Sequence, residues 1–190
     1  MSNILIFDTE TTGLPKKKNF NEYHDPQKLN YYESSRIIEI GYIIYNIEEE
    51  KIKENSFLIK PNNFKIENTY IHGITQINAE LNGINIIDGL KNFNDDLKDV
   101  GVIVAYNCQF DIHVLISECY RNEYTELIKT LKTKDIQCCM KLAQSKLSLL
   151  KYIKLKTLYE TLFSTNIIQK HRALSDCDIC AKCYFKLIYY

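Results

Sequence analysis

Four apolar residues, Ile4 to Phe7, run directly into Asp8, and Glu10 follows two places later inside the polar, turn-like stretch Thr9 to Pro15. A short run containing Ile and Phe that stops at such chemistry reads as a buried strand ending at a loop. Side chains alternate faces along a strand, so Asp8 and Glu10 project from the same face about 7 Å apart. Two carboxylates side by side repel. Either water screens them at a solvated strand end, or a divalent cation sits between them, and hard oxygen ligands are what magnesium and manganese prefer.

The rest of the composition narrows the class. With 190 residues, 45% of them hydrophobic, the chain can bury about 70% of its unfolded surface, so one domain with a real core is expected over 1–190. Stretches such as Ile4 to Phe7 and Tyr42 to Tyr45 fall far short of the roughly 20 apolar residues that span a bilayer, and no basic segment opens the chain as in a signal peptide. A cytoplasmic or nuclear protein with no membrane partner is expected. Seven Cys, an odd number, fit reduced thiols better than a disulfide framework. Lys plus Arg and Asp plus Glu both total 24, so any nucleic-acid partner has to be held by local patches.

Along the chain, 16–35 is polar and without period, which predicts a long loop or insertion, functional or mobile. Arg36 to Tyr45 and Asn55 to Lys60 read as an antiparallel hairpin across the charged turn Glu48 to Lys53, closed by Pro61. Ile87, Leu90, Phe93 and Leu97 have helical spacing. Gly101 breaks it, Val102 to Tyr106 is a strand, and Phe110 to Tyr120 is an amphipathic helix. Helices are predicted over Ile136 to Ala143, Leu155 to Phe163 and Ala173 to Leu187. This order describes an α/β sheet of mixed direction packed between helices.

Two further segments carry chemistry. Asp111 follows Tyr106-Asn107 where a buried strand becomes a helix, at the sheet edge where open α/β sheets place ligands; a helix N-terminal charge that satisfies the macrodipole is the alternative. His171 precedes Asp176 by five residues. On one helix that spacing puts them about 140° apart, so they border a common site only if His171 lies in the loop entering the helix. A surface histidine is the alternative.

In order and spacing these segments resemble the three motifs of the DEDDh (DnaQ-like) 3′–5′ exonucleases. Asp8 and Glu10 match the first, Asp111 the second, and His171 with Asp176 the third. Ile71-His72-Gly73-Ile74-Thr75 is also similar to the family's segment between the hairpin and the first helix. A tyrosine variant of the family carries Tyr where Arg172 stands, which excludes it. Bacterial proofreading subunits usually have His where Tyr106 stands, which weakens transfer of their substrate preferences.

The resemblance implies an RNase H-like fold, a five-stranded mixed sheet flanked by helices, and phosphodiester hydrolysis with two Mg2+ or Mn2+ ions. Asp8, Glu10, Asp111 and Asp176 are then metal ligands, and His171 is the base that takes the proton from water. By the same resemblance the backbone after Glu10, with Thr11 and Thr12, holds the terminal nucleotide, Leu14 wedges against its base, and His72 and Asn107 line the site. The implied substrate is a nucleic acid 3′ end, single-stranded or frayed, with DNA slightly favoured over RNA and 5′-mononucleotides as product. An RNA-trimming enzyme, or a catalytically silent binding or polymerase-docking domain, stands beside this reading. A polymerase or a second copy remains open as partner.

Eight lysines from Lys129 to Lys156, with Asp135 almost the only acid among them, are either solvated helix faces or a phosphate-tracking surface. Cys177, Cys180 and Cys183 fit the buried stripe of one helix better than a metal cluster.

Overall fold

The computed structural model describes residues 2–19 and 22–189. Strand β1 (Asn3–Thr11) is followed by two short strands, β2 (Lys17–Asn19) and β3 (Glu22–Tyr23), then by the long pair β4 (Ile37–Tyr45) and β5 (Lys51–Leu58). Helices α1 (Thr69–His72), α2 (Gln76–Asn82) and α3 (Ile86–Asp96) lead to β6 (Val100–Ala105). Then come α4 (Cys108–Arg121), α5 (Glu126–Leu131), β7 (Asp135–Cys138), α6 (Cys139–Lys146), α7 (Leu155–Phe163) and α8 (Ala173–Ile188). The large sheet has the order β5-β4-β1-β6-β7. β4 is antiparallel to β1 and β5, while β1, β6 and β7 run parallel. This is the five-stranded mixed sheet between helices that the motif resemblance implies.

Strand alternation divides the core. Leu5 and Phe7 of β1, with Tyr42 of β4, pack on Leu90 and Phe93 of α3 and on Val114 and Leu115 of α4. Ile6 and Ile43 face the other way, onto Leu158 of α7 and Cys177, Cys180 and Cys183 of α8. The three thiols are therefore core, as their spacing suggests, and all seven cysteines are free. No described helix is long and apolar enough to cross a membrane.

Two sequence expectations change. The helix read over Ile136 to Ala143 is two elements, β7 pairing with β6 from Asp135 to Cys138 and α6 beginning at Cys139 with no loop between. An edge strand that short has no period of its own, and its apolar residues merged with those of the helix. The hairpin's second strand starts at Lys51, not Asn55, because β5 is the sheet edge and its exposed residues are free to be charged. The described residues of the predicted 16–35 loop form an arm. β2 pairs with β3, Lys16 N donates to Tyr31 O at 2.9 Å, Gln27 Nε2 donates to the Tyr120 hydroxyl at 2.8 Å, and Arg121 pairs with Glu33 at 2.7 Å. The arm is thereby fastened to α4.

Helix α8 approaches the sheet at Gly41 of β4, which pairs with Asp8. A Cβ built there would lie 2.5 Å from Leu174 N and 2.7 Å from the Ala173 carbonyl carbon, and Cys177 Sγ donates to Gly41 O at 3.2 Å. Backbone cannot yield as a side chain does. Gly41→Ala should therefore cost about 1–3 kcal/mol, read as a melting temperature lower by roughly 2–10 °C, with weaker stabilisation by added magnesium because the first turn of α8 is pushed off the acids. A variant that melts with the wild type would show that α8 can stand further off.

Candidate active site

β1 pairs with β6 only as far as Ile6, so its last residues stand clear of the parallel strands at the edge where β1 and β6 both end. This is the kind of edge at which open α/β sheets bind ligands. Asp8 and Glu10 share the face of Ile6, toward α8. From that helix comes Asp176, in its first turn. Carboxylate oxygens of Asp8, Glu10 and Asp176 all lie within 4.8 Å of one another. Asp111 reaches the cluster from the opposite layer, in the first turn of α4. Its Oδ1 accepts from Thr9 N at 3.1 Å and Thr9 Oγ1 at 2.8 Å, so the residue between the two strand acids positions the acid of the second motif.

His171 sits in the loop two residues before α8, with φ +47°. The loop position brings it to the same site as Asp176 despite the spacing of five. A cavity of about 410 Å³ opens here, lined by Asp8, Asn107, Asp111, His171 and Asp176. Thr11, Thr12, Leu14 and His72 lie outside that cavity. The Thr11 hydroxyl donates to Gly13 O at 2.8 Å, and that of Thr12 to Ser34 O at 3.1 Å, so both shape the turn leaving β1. Leu14 on that turn is 69% exposed. His72 is buried at the end of α1, and its Nδ1 accepts from Ile74 N at 3.1 Å. Lys154 lines the site cavity and Lys141 an adjoining one. Elsewhere in the lysine stretch, Lys134 instead donates to Leu97 O and Val100 O, and Lys129 pairs with Glu126.

Sequence reading missed the residue that holds α8 in place. Glu39 of β4, opposite Glu10 in the register, is 1% exposed. Arg172 grips it through Nη2 at 2.6 Å and Nε at 3.0 Å, and Ala173 N donates to it at 3.0 Å. Arg172, the residue before α8, offers no side-chain cap. Glu39 supplies from the sheet the acceptor an N-cap side chain would provide, and so fixes the backbone on which His171 and Asp176 sit. The available signal was an acid within the otherwise apolar run Ile37 to Tyr45.

Electrostatics make the cluster unstable alone. Two unit charges about 5 Å apart repel by roughly 3 kcal/mol at the effective dielectric of such sites. Burial, then Asp111, Glu10 and Asp176, push the Asp8 carboxyl well above the usual carboxylate range. Burial and Asp176 push Glu10 up to about 8. Burial raises Asp111 against the two Thr9 bonds, and raises Asp176 against Gln169 and His171. Among the described residues none of these four acids forms an ion pair. Asp176 Oδ1 is buried with no hydrogen-bond partner, while Oδ2 accepts from Gln169 at 2.7 Å. Converging hard oxygens, one of them orphaned, fit a divalent cation.

A pH dependence follows. Glu10 has a folded pKa of about 8 against an ordinary 4.5, so its contribution favours the fold below about pH 4.5 and is lost as pH rises through 8. Buried His72 and half-buried His113, held below their ordinary 6.5, act in the opposite sense only below that value, and the Cys138 thiol, lowered to about 6 beside Cys108, opposes Glu10 within the window while the raised Asp8 and Asp111 act with it. From pH 7 to 8 the metal-free protein should lose melting temperature, Glu10→Gln should lose less, and magnesium should cancel the loss. A wild type whose stability rises over that window would contradict the repulsive cluster.

The exonuclease family model RNase_T matches residues 5–184. Among curated proteins none matches the chain. Solved structures similar to it include E. coli Exonuclease I in complex with a dA16 oligonucleotide, at TM-score 0.74 and 20% identity over 99% of this chain and 41% of that one. S. pombe Pop2p in its Mg2+ and Mn2+ bound form has TM-score 0.72 and 21% identity, over 96% of this chain and 81% of that one. A 3′-exonuclease with 3′-end specific recognition of histone mRNA stem-loop has TM-score 0.68 and 17% identity, over 98% and 63%. The chain spans about two fifths of the length of the Exonuclease I chain.

Proposed function

The chain belongs to the RNase_T exonuclease family, and on that premise we propose that it hydrolyses nucleic acid from a free 3′ end, releasing 5′-mononucleotides. The observation that carries this reading is the convergence of Asp8, Glu10 and Asp176 within 4.8 Å, beside Asp111 and His171 on one cavity. A phosphodiester is an anion that this cluster repels until cations neutralise it. Bound in pairs, magnesium or manganese ions supply that neutralisation and Lewis acidity toward the scissile phosphate.

The chain's own residues do the remainder. Asp8, Glu10, Asp111 and Asp176 hold the ions. His171, at the cavity wall in the loop before α8, accepts the proton of the attacking water. Asn107 and His72 line the site, and the turn Thr11 to Leu14 receives the terminal nucleotide. Single-stranded or frayed DNA is the proposed substrate, supported by the oligonucleotide bound to the similar Exonuclease I. The similar histone mRNA exonuclease makes RNA the second substrate to assay.

Degradation of 5′-labelled single strands of DNA and of RNA, with magnesium or manganese and with chelator, tests the reading. Metal-dependent shortening from the 3′ end is expected, blocked by a 3′-phosphate and indifferent to a 5′-phosphate. Rapid cutting of a closed single-stranded circle would sink the end-binding site. His171→Asn, whose side chain tolerates the positive φ, should reduce turnover about 100-fold while magnesium still raises the melting temperature as in the wild type. Unchanged turnover would remove His171 from the chemistry.

A further inference from the structure

The site cavity does not end at α4. A second cavity of about 340 Å³ adjoins it through Asn107 and Met140, walled on one side by Lys17 and Tyr23 of the arm and on the other by Lys141 of α6 and Tyr152. A third, of about 570 Å³, continues past Tyr23 and Gln109 between the arm and α4. Charge separates these two. The second cavity has Lys17 and Lys141 and no described acid, whereas in the third Glu22 and Asp25 balance Lys18 and Lys28. Only the second adds cationic surface to an acidic site.

Its walls are held in place. The Tyr23 ring lies 6.3 Å from that of Phe110 and 5.9 Å from that of His113. Asn107 lines the same cavity as Tyr23, and Lys17 Nζ sits 5.3 Å from the Tyr23 ring centroid. Across the gap, the Tyr106 hydroxyl donates to Ile153 O at 2.6 Å and anchors the loop that presents Tyr152. Cationic side chains interleaved with aromatic rings along a groove are how proteins hold a single strand without reading its sequence, since lysines track phosphates and every base has a face to stack.

We infer that the second cavity receives the nucleotides beyond the first on the 5′ side of the scissile phosphate, with Tyr23 and Tyr152 stacking unpaired bases and Lys17 and Lys141 holding their phosphates. The inference rests on the proposed function and assigns its strand path. The arm is thus a wall of the substrate groove, and substrates that extend into it bind better than a dinucleotide that fills only the site.

The test uses 5′-labelled oligodeoxynucleotides of about two, four and eight nucleotides, with oligoribonucleotides in parallel. Both kcat/KM in magnesium and binding by fluorescence anisotropy in calcium are measured. Wild-type kcat/KM should rise about 10-fold or more from two nucleotides to eight, the order that a stacked base contributes. Tyr152→Ala and Lys141→Ala, both at exposed positions, should lose most of that increment and leave dinucleotide turnover unchanged. Tyr23→Phe should keep it. If the wild type degrades all lengths and the variants follow it at each, the cavity is off the strand path while the exonuclease reading stands. Variants that lose turnover equally on the dinucleotide would overturn the inference, because the residues then serve the terminal site. If no substrate is degraded, the exonuclease reading fails. Length-dependent binding that the variants lose would then still uphold the groove, and its absence would overturn it.

Discussion

Five carboxylates meet where β1 leaves the sheet, and among the described residues only Glu39 of the five forms an ion pair. The rest of the molecule follows from that imbalance. The five acids come from four supports: β1 contributes two, the first turn of α4 a third, the first turn of α8 a fourth, and β4 the neutralised fifth. Groups that repel by several kcal/mol per pair hold these positions only because separate, well-packed elements impose them. Leu5 and Phe7 commit one face of β1 to α3 and α4, and Ile6 commits the other to α7 and α8. The core thus fixes the two strand acids toward the helix that carries Asp176.

Much of the site is legible in the residue order because its acids sit at points where local rules are strong. A strand alternates, so Asp8 and Glu10 must share a face. A strand-to-helix junction such as Tyr106 to Asp111 has a single sheet edge at which to emerge. His171 beside Asp176 is different: spacing alone allowed either arrangement, and the left-handed backbone at His171 decides it. Glu39 escaped because its meaning lies in Arg172 and Ala173, more than 130 residues away, and no local pattern encodes such a pairing. β7 escaped for the opposite reason, being too short to show a period before α6 begins. The 16–35 arm was legible only as aperiodic, since two strands of three and two residues fall below any periodicity.

The close approach at Gly41 and the grip of Glu39 on Arg172 act together. Without the first, α8 could not come near enough for Asp176 to meet Asp8. Without the second, its N-terminus would have no acceptor from the sheet. Family membership accords with this construction, and the similar solved structures, all below 25% identity, share the fold while differing in what accompanies it.

The arm leaves and rejoins the body at neighbouring points, Lys16 N and Tyr31 O being 2.9 Å apart. Lengthening or shortening an excursion whose ends already touch changes loop-closure entropy only logarithmically, about 0.6 kcal/mol per doubling, and leaves the register of β1 with β4 alone. The arm can therefore drift in size and chemistry while the carboxylate cluster stays under its own constraints. Under the proposed function, reach along a strand and the power to cut it are separately heritable traits in this architecture, and a graft exchanged at those two residues would carry one without the other.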